Sequence, residues 1–279
     1  MKVYIMTDME GVAGMLNFPN WCLPPERGYP GRYYDLGREL LTREVNAAVE
    51  GLFQGGVDKI IVSDGHGPGG INPMLLDPRA ELLRGWPSGW PLELDDTFDA
   101  VAWVGQHAKA GTRYAHLAHT QSLKYIDQSI NGVSVGEFGQ FALCASELGI
   151  PAIFGSGDAA FCKEAMALIP GIVTVAVKRG VQPQDGRDLD TKAYMAHNRG
   201  AIHLHPTVAR KKIREGAKEA MFQLRTSQGE YGIVKLDPPY ERVTIFRPDE
   251  PGQPKRIDRA THPTSIAGVL NEPFDPQAQ

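Results

Sequence analysis

The chain has 279 residues, of which 42% are hydrophobic and 22% are charged, and its formal net charge is −4. This length supports a large core, as one large α/β domain or as a main domain with a smaller partner. The mildly acidic balance, without a basic block, argues against binding to nucleic acid or to an anionic membrane surface. The sequence contains no run of about 18 apolar residues, so it predicts no membrane span.

The N-terminal segment and the cysteines bear on the cellular compartment. The first apolar run ends at Asp8 and Glu10, which is too early and too acidic for a secretory signal, so we expect none. Cys22, Cys144 and Cys162 are widely spaced, and the last two fall in apolar helical patterns typical of buried thiols. These features together predict a cytoplasmic protein.

The first two thirds of the chain alternate predicted strands with predicted helices. Asn131-Gly132 is a strong two-residue turn signal and predicts a hairpin over residues 125–135. The alternation predicts an α/β fold with a doubly wound, mostly parallel sheet flanked by helices. The predicted strands are Lys2–Thr7, Lys59–Val62, Phe98–Val104, Ala152–Phe154 and Ile172–Val177; the predicted helices are Leu36–Phe53, Glu137–Leu148 and Ala159–Leu168.

The sequence changes character after Arg179. Val181–Asp190 is polar and resembles an exposed insertion, while Pro206–Leu224 is strongly amphipathic and predicts a helix. Val243–Phe246 predicts a strand, and the proline-rich segment Arg247–Gln279 is expected to be extended or partly disordered. We therefore predict a main domain over residues 1–180 and a smaller C-terminal α+β portion, with an extended tail, over residues 181–279.

Acidic residues and histidines follow three of the predicted strands. Asp8 and Glu10 follow the first strand, and His66 and His107 follow the next two. The carboxyl ends of strands in such a sheet meet at one crevice, and carboxylates with imidazoles suit zinc. Glu137, at the start of a predicted helix, could complete the set. Taken singly, each acid also fits a turn or helix-cap role, and each histidine fits an ordinary loop.

Several separated motifs occur together in a fixed order over residues 1 to 178. In that order they resemble the D-aminopeptidase family, peptidase family M55, also described as dipeptide-transport-associated D-aminopeptidases. The motifs are Met6–Gly11, Leu41–Ala48, Val62–His66, Leu94–Phe98 with Val104–Ala108, His119-Thr120, and Asn131-Gly132 through Gly136–Gly139.

The resemblance implies a complete site. It implies that Asp8 bridges two zinc ions, with coordination completed by Glu10, His66, His107 and Glu137. Two zinc ions can polarise a peptide carbonyl and lower the pKa of a bridging water. The catalytic residue of the family aligns with His119, although one additional residue separates it from His107; His116, three residues earlier, is the rival. The resemblance also implies a ring-shaped homo-oligomer, such as a decamer.

The leading hypothesis is therefore a zinc-dependent aminopeptidase that cuts short peptides with an N-terminal D-residue. The preference for D-residues comes from the resemblance alone. One alternative is a di-metal hydrolase acting on L-peptides, other amides or phosphoesters, since such folds host many activities. A phosphoesterase needs basic groups near the metals, and Lys109 and Arg113 are the nearest candidates. Another alternative is a non-catalytic metal- or peptide-binding protein.

The sequence leaves one assignment open and supports two further expectations. The substrate ammonium could be held by a site carboxylate or by Asp158. Trp86 and Trp90 are expected in the core or at an interface rather than as a wall for substrate. His203 and His205 are expected to cap or to lie on the surface rather than to bind metal.

Overall fold

The structure is a computed structural model that describes residues 1–227, 231–248 and 250–278. Its strands, in chain order, are β1 (Lys2–Thr7), β2 (Lys59–Ser63), β3 (Ala80–Leu83), β4 (Ala100–Gln106), β5 (Tyr125–Ile130), β6 (Val133–Ser134), β7 (Ala152–Asp158), β8 (Val173–Gly180), β9 (Ala201–His203), β10 (Tyr240–Phe246), β11 (Arg256–His262) and β12 (Gln277–Ala278). Its α-helices are α1 (Tyr34–Gln54), α2 (Glu137–Glu147), α3 (Ala159–Leu168), α4 (Thr191–His197), α5 (Pro206–Thr226) and α6 (Ile266–Asn271).

The described residues form a seven-stranded sheet in the order β3-β2-β1-β4-β7-β8-β9. All neighbouring strands in it are parallel except β8 and β9. The chain extends the sheet from β1 to β2 and β3 on one side, then returns to add β4 and the later strands on the other. β1 and β4 therefore flank the topological switch point, where ligands bind beyond the carboxyl ends of the strands. The predicted doubly wound fold is confirmed.

Alternating side chains of β1 pack into cores on the two faces of this sheet. Val3 and Ile5 join a cluster with residues of α1 and α5, while Tyr4 and Met6 join a cluster with residues of α2 and α3. α1 and α5 pack against each other. None of the helices in the described part of the chain combines the length and apolar character needed to span a bilayer.

A second, antiparallel sheet has the order β12-β11-β10-β5-β6. The predicted hairpin is confirmed: Asn131 and Gly132, with φ of 49° and 78°, form the turn between β5 and β6. α6 packs on β10, β11 and α2. This sheet takes strands from both sides of residue 180, and the division of the chain at that residue stays a prediction.

The prediction that the proline-rich segment is extended or partly disordered is wrong for β11 and α6, which are regular elements packed on the rest of the fold. β11 pairs along the whole of β10, and α6 buries Ile266, Val269 and Leu270. Prolines and charged residues dominate the composition of this segment, but the apolar residues between them pack against β10, β11 and α2. The buried Arg242–Asp258 ion pair, at 2.9 Å, ties β10 to β11.

The polar segment Val181–Asp190 is attached more firmly than its composition indicates. Arg247, which is fully buried, donates from Nη1 to the carbonyls of Gly186 and Leu189 within the segment predicted as an insertion. The segment is less exposed than predicted, since only four of its ten residues are exposed. The short elements β3, β9 and α4 were not predicted from the sequence. All three cysteines are free and buried.

Glu44 on α1 gives the fold a testable dependence on pH. Its carboxylate is buried, and Oε1 accepts a hydrogen bond from the backbone N–H of Ala13 at 3.0 Å. Burial raises its pKa from 4.5 to about 8, although the Ala13 N–H and the charge of Lys178 act in the opposite direction. Because the folded-state pKa is the higher one, this group's contribution to stability is present below about pH 4.5 and lost as pH rises through 8.

We expect Glu44→Gln to remove this dependence, since glutamine keeps the shape of the neutral acid and cannot ionise. Between pH 5 and 8, the free energy of unfolding of the parent protein should fall relative to the variant by at most about 1.4 kcal/mol per pH unit. Urea unfolding of both proteins at several pH values measures the difference. Parallel stability curves would contradict the assignment.

Candidate metal centre

The acidic residues and histidines that follow the first strands meet at the switch point. Asp8 follows β1, His107 follows β4, and His66 lies in the loop after β2. Glycines allow these loops to approach closely: Gly105 has a φ of +80°, and a Cβ atom there would lie 2.0 Å from the Asp8 carbonyl oxygen. A Cβ at Gly11 would lie 2.1 Å from the Gln106 carbonyl oxygen. Larger residues at either position would push β1 and β4 apart.

Asp8, Glu10 and His66 form one group of candidate ligands, whose ligand atoms all lie within 4.8 Å of one another. His66 Nδ1 lies 3.2 Å from Asp8 Oδ1 and 3.2 Å from Glu10 Oε2. All three side chains are buried. Two carboxylates and an imidazole in this arrangement suit a divalent transition metal such as zinc.

His107, His119 and Glu137 form a second group within the same distance limit. His107 Nε2 lies 3.5 Å from Glu137 Oε2, and His119 Nε2 lies 3.6 Å from Glu137 Oε1. The two imidazole rings stack, with centroids 3.9 Å apart and planes inclined by 16°. Glu137 is the first residue of α2. It therefore occupies the predicted helix start and also contacts the cluster.

Asp8 connects the two groups. Its Oδ1 lies 3.2 Å from His66 in the first group, and its Oδ2 lies 2.9 Å from His107 in the second. A carboxylate with one oxygen directed to each of two groups has the arrangement needed to bridge two cations. The structure thus brings together the five residues predicted as ligands, and His119 with them.

Each histidine of the cluster is oriented by a backbone carbonyl. His66 Nε2 lies 2.5 Å from the Cys22 carbonyl, His107 Nδ1 lies 2.9 Å from that of Ala108, and His119 Nδ1 lies 3.0 Å from that of Leu117. A carbonyl only accepts, so the nitrogen beside it carries the hydrogen. The other nitrogen of each neutral ring presents its lone pair to the cluster, as in zinc sites whose histidines are fixed from behind.

The electrostatics of the cluster favour positive charge. Burial alone would raise the pKa of Asp8, but His107 and His66 outweigh it and hold that pKa well below its usual range. Burial alone would lower the pKa values of His66 and His107, but the neighbouring carboxylates outweigh it and raise both well above the ordinary value. The carboxylates therefore stabilise cations at the position of the imidazoles, whether protons or metal ions.

Two buried atoms of the cluster also fit a metal. Glu10 Oε2 and His107 Nε2 make no hydrogen bond of acceptable geometry within the described residues. Buried polar atoms are normally satisfied, and coordination to a cation would satisfy these two. The donor set and these two atoms are both consistent with zinc.

Several supporting residues were not found by sequence reasoning. The backbone N–H of Gln121 donates to Glu137 Oε1 at 2.7 Å, and Gln106 Nε2 lies 3.4 Å from Asp8 Oδ2. Lys178, buried in β8, donates to the carbonyl of Glu10. Gln106 could have been suspected from its place beside His107, and Lys178 from its place in an apolar strand. The turn at Gln121 leaves no signal in the sequence.

The other candidates have structural roles. His116 is buried, with Nε2 near the carbonyls of Leu16 and Arg199, and burial lowers its pKa to about 2. Asp158 is also buried, where it caps α3 through the N–H of Ala160 and accepts from the N–H of His116. Neither belongs to the metal-type groups found among the described residues. Nδ1 of His205 caps α5, which agrees with the expected capping role, and Nδ1 of His203 accepts from Gly14 N.

Lys109 and Arg113 do not face the cluster. Lys109 Nζ donates to the carbonyl of Ser134, and Arg113 Nε lies 3.7 Å from Asp185 Oδ2. Both line a separate cavity that contains none of the predicted ligands. These two basic candidates for a phosphoesterase are therefore directed elsewhere.

Comparison with known proteins gives three findings in agreement. A family model described as D-aminopeptidase, of peptidase family M55, matches residues 1–250. A D-aminopeptidase of Bacillus subtilis (strain 168) is 32% identical over 188 residues, and the match spans 65% of this chain and 65% of that protein.

The third finding concerns the fold. The structure is similar to one described as the Zn-dependent D-aminopeptidase DppA from Bacillus subtilis, a self-compartmentalizing protease. The TM-score is 0.78 and the sequence identity 23%, with 97% of this chain and 94% of that chain covered. At this identity the similarity establishes the shared fold.

Proposed function

Because the chain belongs to the D-aminopeptidase family, peptidase family M55, we propose that it is a zinc-dependent aminopeptidase that releases N-terminal D-amino acids from short peptides such as D-Ala dipeptides. The observation that carries the proposal is the position of Asp8 between two groups of ligand-type side chains. The handedness and zinc are supported by the names of the relatives.

In this proposal the centre would hold two zinc ions. Asp8, Glu10 and His66 would hold one ion, and Asp8, His107 and Glu137 would hold the other. When bound, the ions supply Lewis acidity toward the scissile carbonyl and lower the pKa of the attacking water. The backbone carbonyls behind His66 and His107 keep the coordinating nitrogens directed inward.

His119 is proposed as the residue that moves protons. Its side chain is 13% exposed, and its Nε2 faces Glu137 at the border of the cluster. Its Nδ1 is held by the Leu117 carbonyl, so Nε2 is the atom that accepts a proton and delivers it to the leaving amine. Phe18 packs edge-on against the ring, at 5.4 Å between centroids, and fixes its orientation further.

The assembly is proposed to be a homo-oligomer, such as a decameric ring. The support is the description of the structural neighbour as self-compartmentalizing. The cytoplasmic location stays a prediction.

Metal removal and paired substrates test the proposal. Treatment with a chelator, followed by buffer exchange, should lower turnover of a D-Ala dipeptide by about 10³-fold or more, because several kcal/mol of transition-state stabilisation are lost. Added zinc should restore it. With zinc present, the D-alanyl peptide should exceed its L-alanyl counterpart in kcat/KM by at least about tenfold, which corresponds to about 1.4 kcal/mol.

Each alternative predicts a different result. Equal rates for both hands would favour a general peptidase and contradict the preference for D-residues. Turnover that survives complete metal removal would contradict the metal mechanism. Metal binding without turnover of any peptide would indicate a binding protein.

A further inference from the structure

A cavity of about 400 Å³ opens directly on the metal centre. Asp8, Gln106, Gln121 and Glu137 line one part of it. The remaining lining is largely apolar and aromatic, and its main members are Trp86, Trp90, Leu92, Phe141, Leu270 and Phe274. The cavity is therefore polar where the scissile amide must lie and apolar beside it, which is the usual composition of a site for a specific ligand.

The apolar wall is assembled from distant segments and firmly held. Trp86 Nε1 donates to Ser63 Oγ at 3.1 Å. The Asn271 side chain accepts from Trp90 N at 2.9 Å and donates to Trp90 O at 2.8 Å, which ties the loop before Pro91 to the end of α6. A pocket with a wall fixed in this way selects among ligands better than a flexible surface does.

Arg242 holds the C-terminal side of the wall. Its buried guanidinium donates to the carbonyls of Leu270 and Glu272, and it lies 3.9 Å from the centroid of the Phe274 ring. Phe274 is 44% exposed although it packs edge-on against Phe246. An aromatic side chain that is held in place and still exposed in a cavity can contact a ligand.

Resting on the proposed function, we infer that this cavity receives a bulky apolar side chain from one of the two residues that flank the scissile bond. The enzyme thus prefers D-peptides with an aromatic or large aliphatic residue over those made only of alanine and glycine. A methyl group would leave most of the cavity and its aromatic lining without contact, whereas an aromatic side chain would bury its apolar surface there.

Three dipeptides test the inference on the zinc-loaded protein: D-Ala-Gly, D-Phe-Gly and D-Ala-Phe. The second and third place the aromatic side chain on opposite sides of the scissile bond. We expect at least one of them to exceed D-Ala-Gly in kcat/KM by about tenfold or more, given the burial of one aromatic side chain. Equal or higher kcat/KM for D-Ala-Gly than for both would overturn the inference.

Variants of Phe274 link the preference to the cavity. The relevant ratio is kcat/KM for the better of the two aromatic dipeptides divided by kcat/KM for D-Ala-Gly. Phe274→Ala should lower this ratio by about threefold or more, and Phe274→Leu should keep most of it. The matched control is Phe222→Ala, since Phe222 is a 61% exposed phenylalanine on α5 outside the cavity; it should leave the ratio unchanged. The ratio does not depend on the fraction of enzyme that folds, so poor yield of a variant does not obscure the result.

The failure of this inference differs from the failure of the proposed function. A protein that cleaves all three peptides equally, or a Phe274→Ala variant with an unchanged ratio, contradicts the assignment of the cavity alone. A zinc-loaded protein that cleaves none of the three contradicts the aminopeptidase itself and the inference with it.

Discussion

Replacing Asp8 by asparagine should lower kcat/KM on a D-Ala dipeptide by about 10³-fold or more and reduce the bound zinc below two ions per chain. Asp8 lies 3.2 Å from His66 with one oxygen and 2.9 Å from His107 with the other. An amide removes the negative charge and leaves only one oxygen to coordinate. The loss of Lewis acidity, worth several kcal/mol, corresponds to this change in rate.

Elemental analysis of the purified variant, beside its steady-state kinetics, measures both effects. Asp64→Asn is the matched control, because Asp64 is also buried and follows β2, but its oxygens accept from Gly70 N, Ile71 N and Arg84 Nε. It should lose stability and keep both zinc ions. An Asp8→Asn variant with two zinc ions and nearly full activity would contradict the bridging role.

Replacing His119 by alanine should lower kcat by roughly 10²- to 10⁴-fold, the usual contribution of a general acid or base, and leave the zinc content unchanged. We expect activity to fall without loss of zinc because, in the proposed ligand sets, each ion already has three protein ligands without His119. The measurement is kcat together with zinc per chain, both on protein whose folding has been checked by thermal unfolding.

His116 supplies the control for this second variant. His116→Gln keeps donors near the carbonyls of Leu16 and Arg199, so activity should stay within a few-fold of the parent protein. If His119→Ala loses one zinc ion, His119 is a metal ligand. The short distance between its Nε2 and Glu137 is compatible with that role as well. A larger loss of activity from His116→Gln than from His119→Ala would reverse the assignment between the two.

The sequence predicted much of the parallel sheet because its strands are nearly continuous apolar runs that end in polar, glycine-containing loops. It predicted that Asp8, His66 and His107 lie at carboxyl ends of strands, and those ends converge. It did not give the strand order, and the order is what places Asp8 next to His107 across the switch point. The residues alone offered Glu137 only as a possible ligand, because its place at a helix start has an ordinary explanation; the resemblance to the D-aminopeptidases, confirmed by the family match, strengthened that assignment.

The parts that sequence reasoning did not find depend on tertiary contacts. β3 and β9, with four and three residues, are too short for a periodic pattern. The proline-rich end was misread because composition does not reveal that Asp258 pairs with a buried arginine from β10. Trp86 and Trp90 were expected in the core or at an interface. Both pack against the core, and both also line the cavity beside the metal centre. Only the folded chain places them beside Leu270 and Phe274.

The proposed function depends on two metal ions that share the carboxylate of Asp8. X-ray diffraction at the zinc absorption edge, on crystals of the zinc-loaded protein, tests this most directly. A centre with two zinc ions predicts two anomalous peaks per chain, one on each side of Asp8: the first beside Glu10 and His66, the second beside His107 and Glu137. A single peak in this region, or peaks only at other positions in the protein, would contradict it.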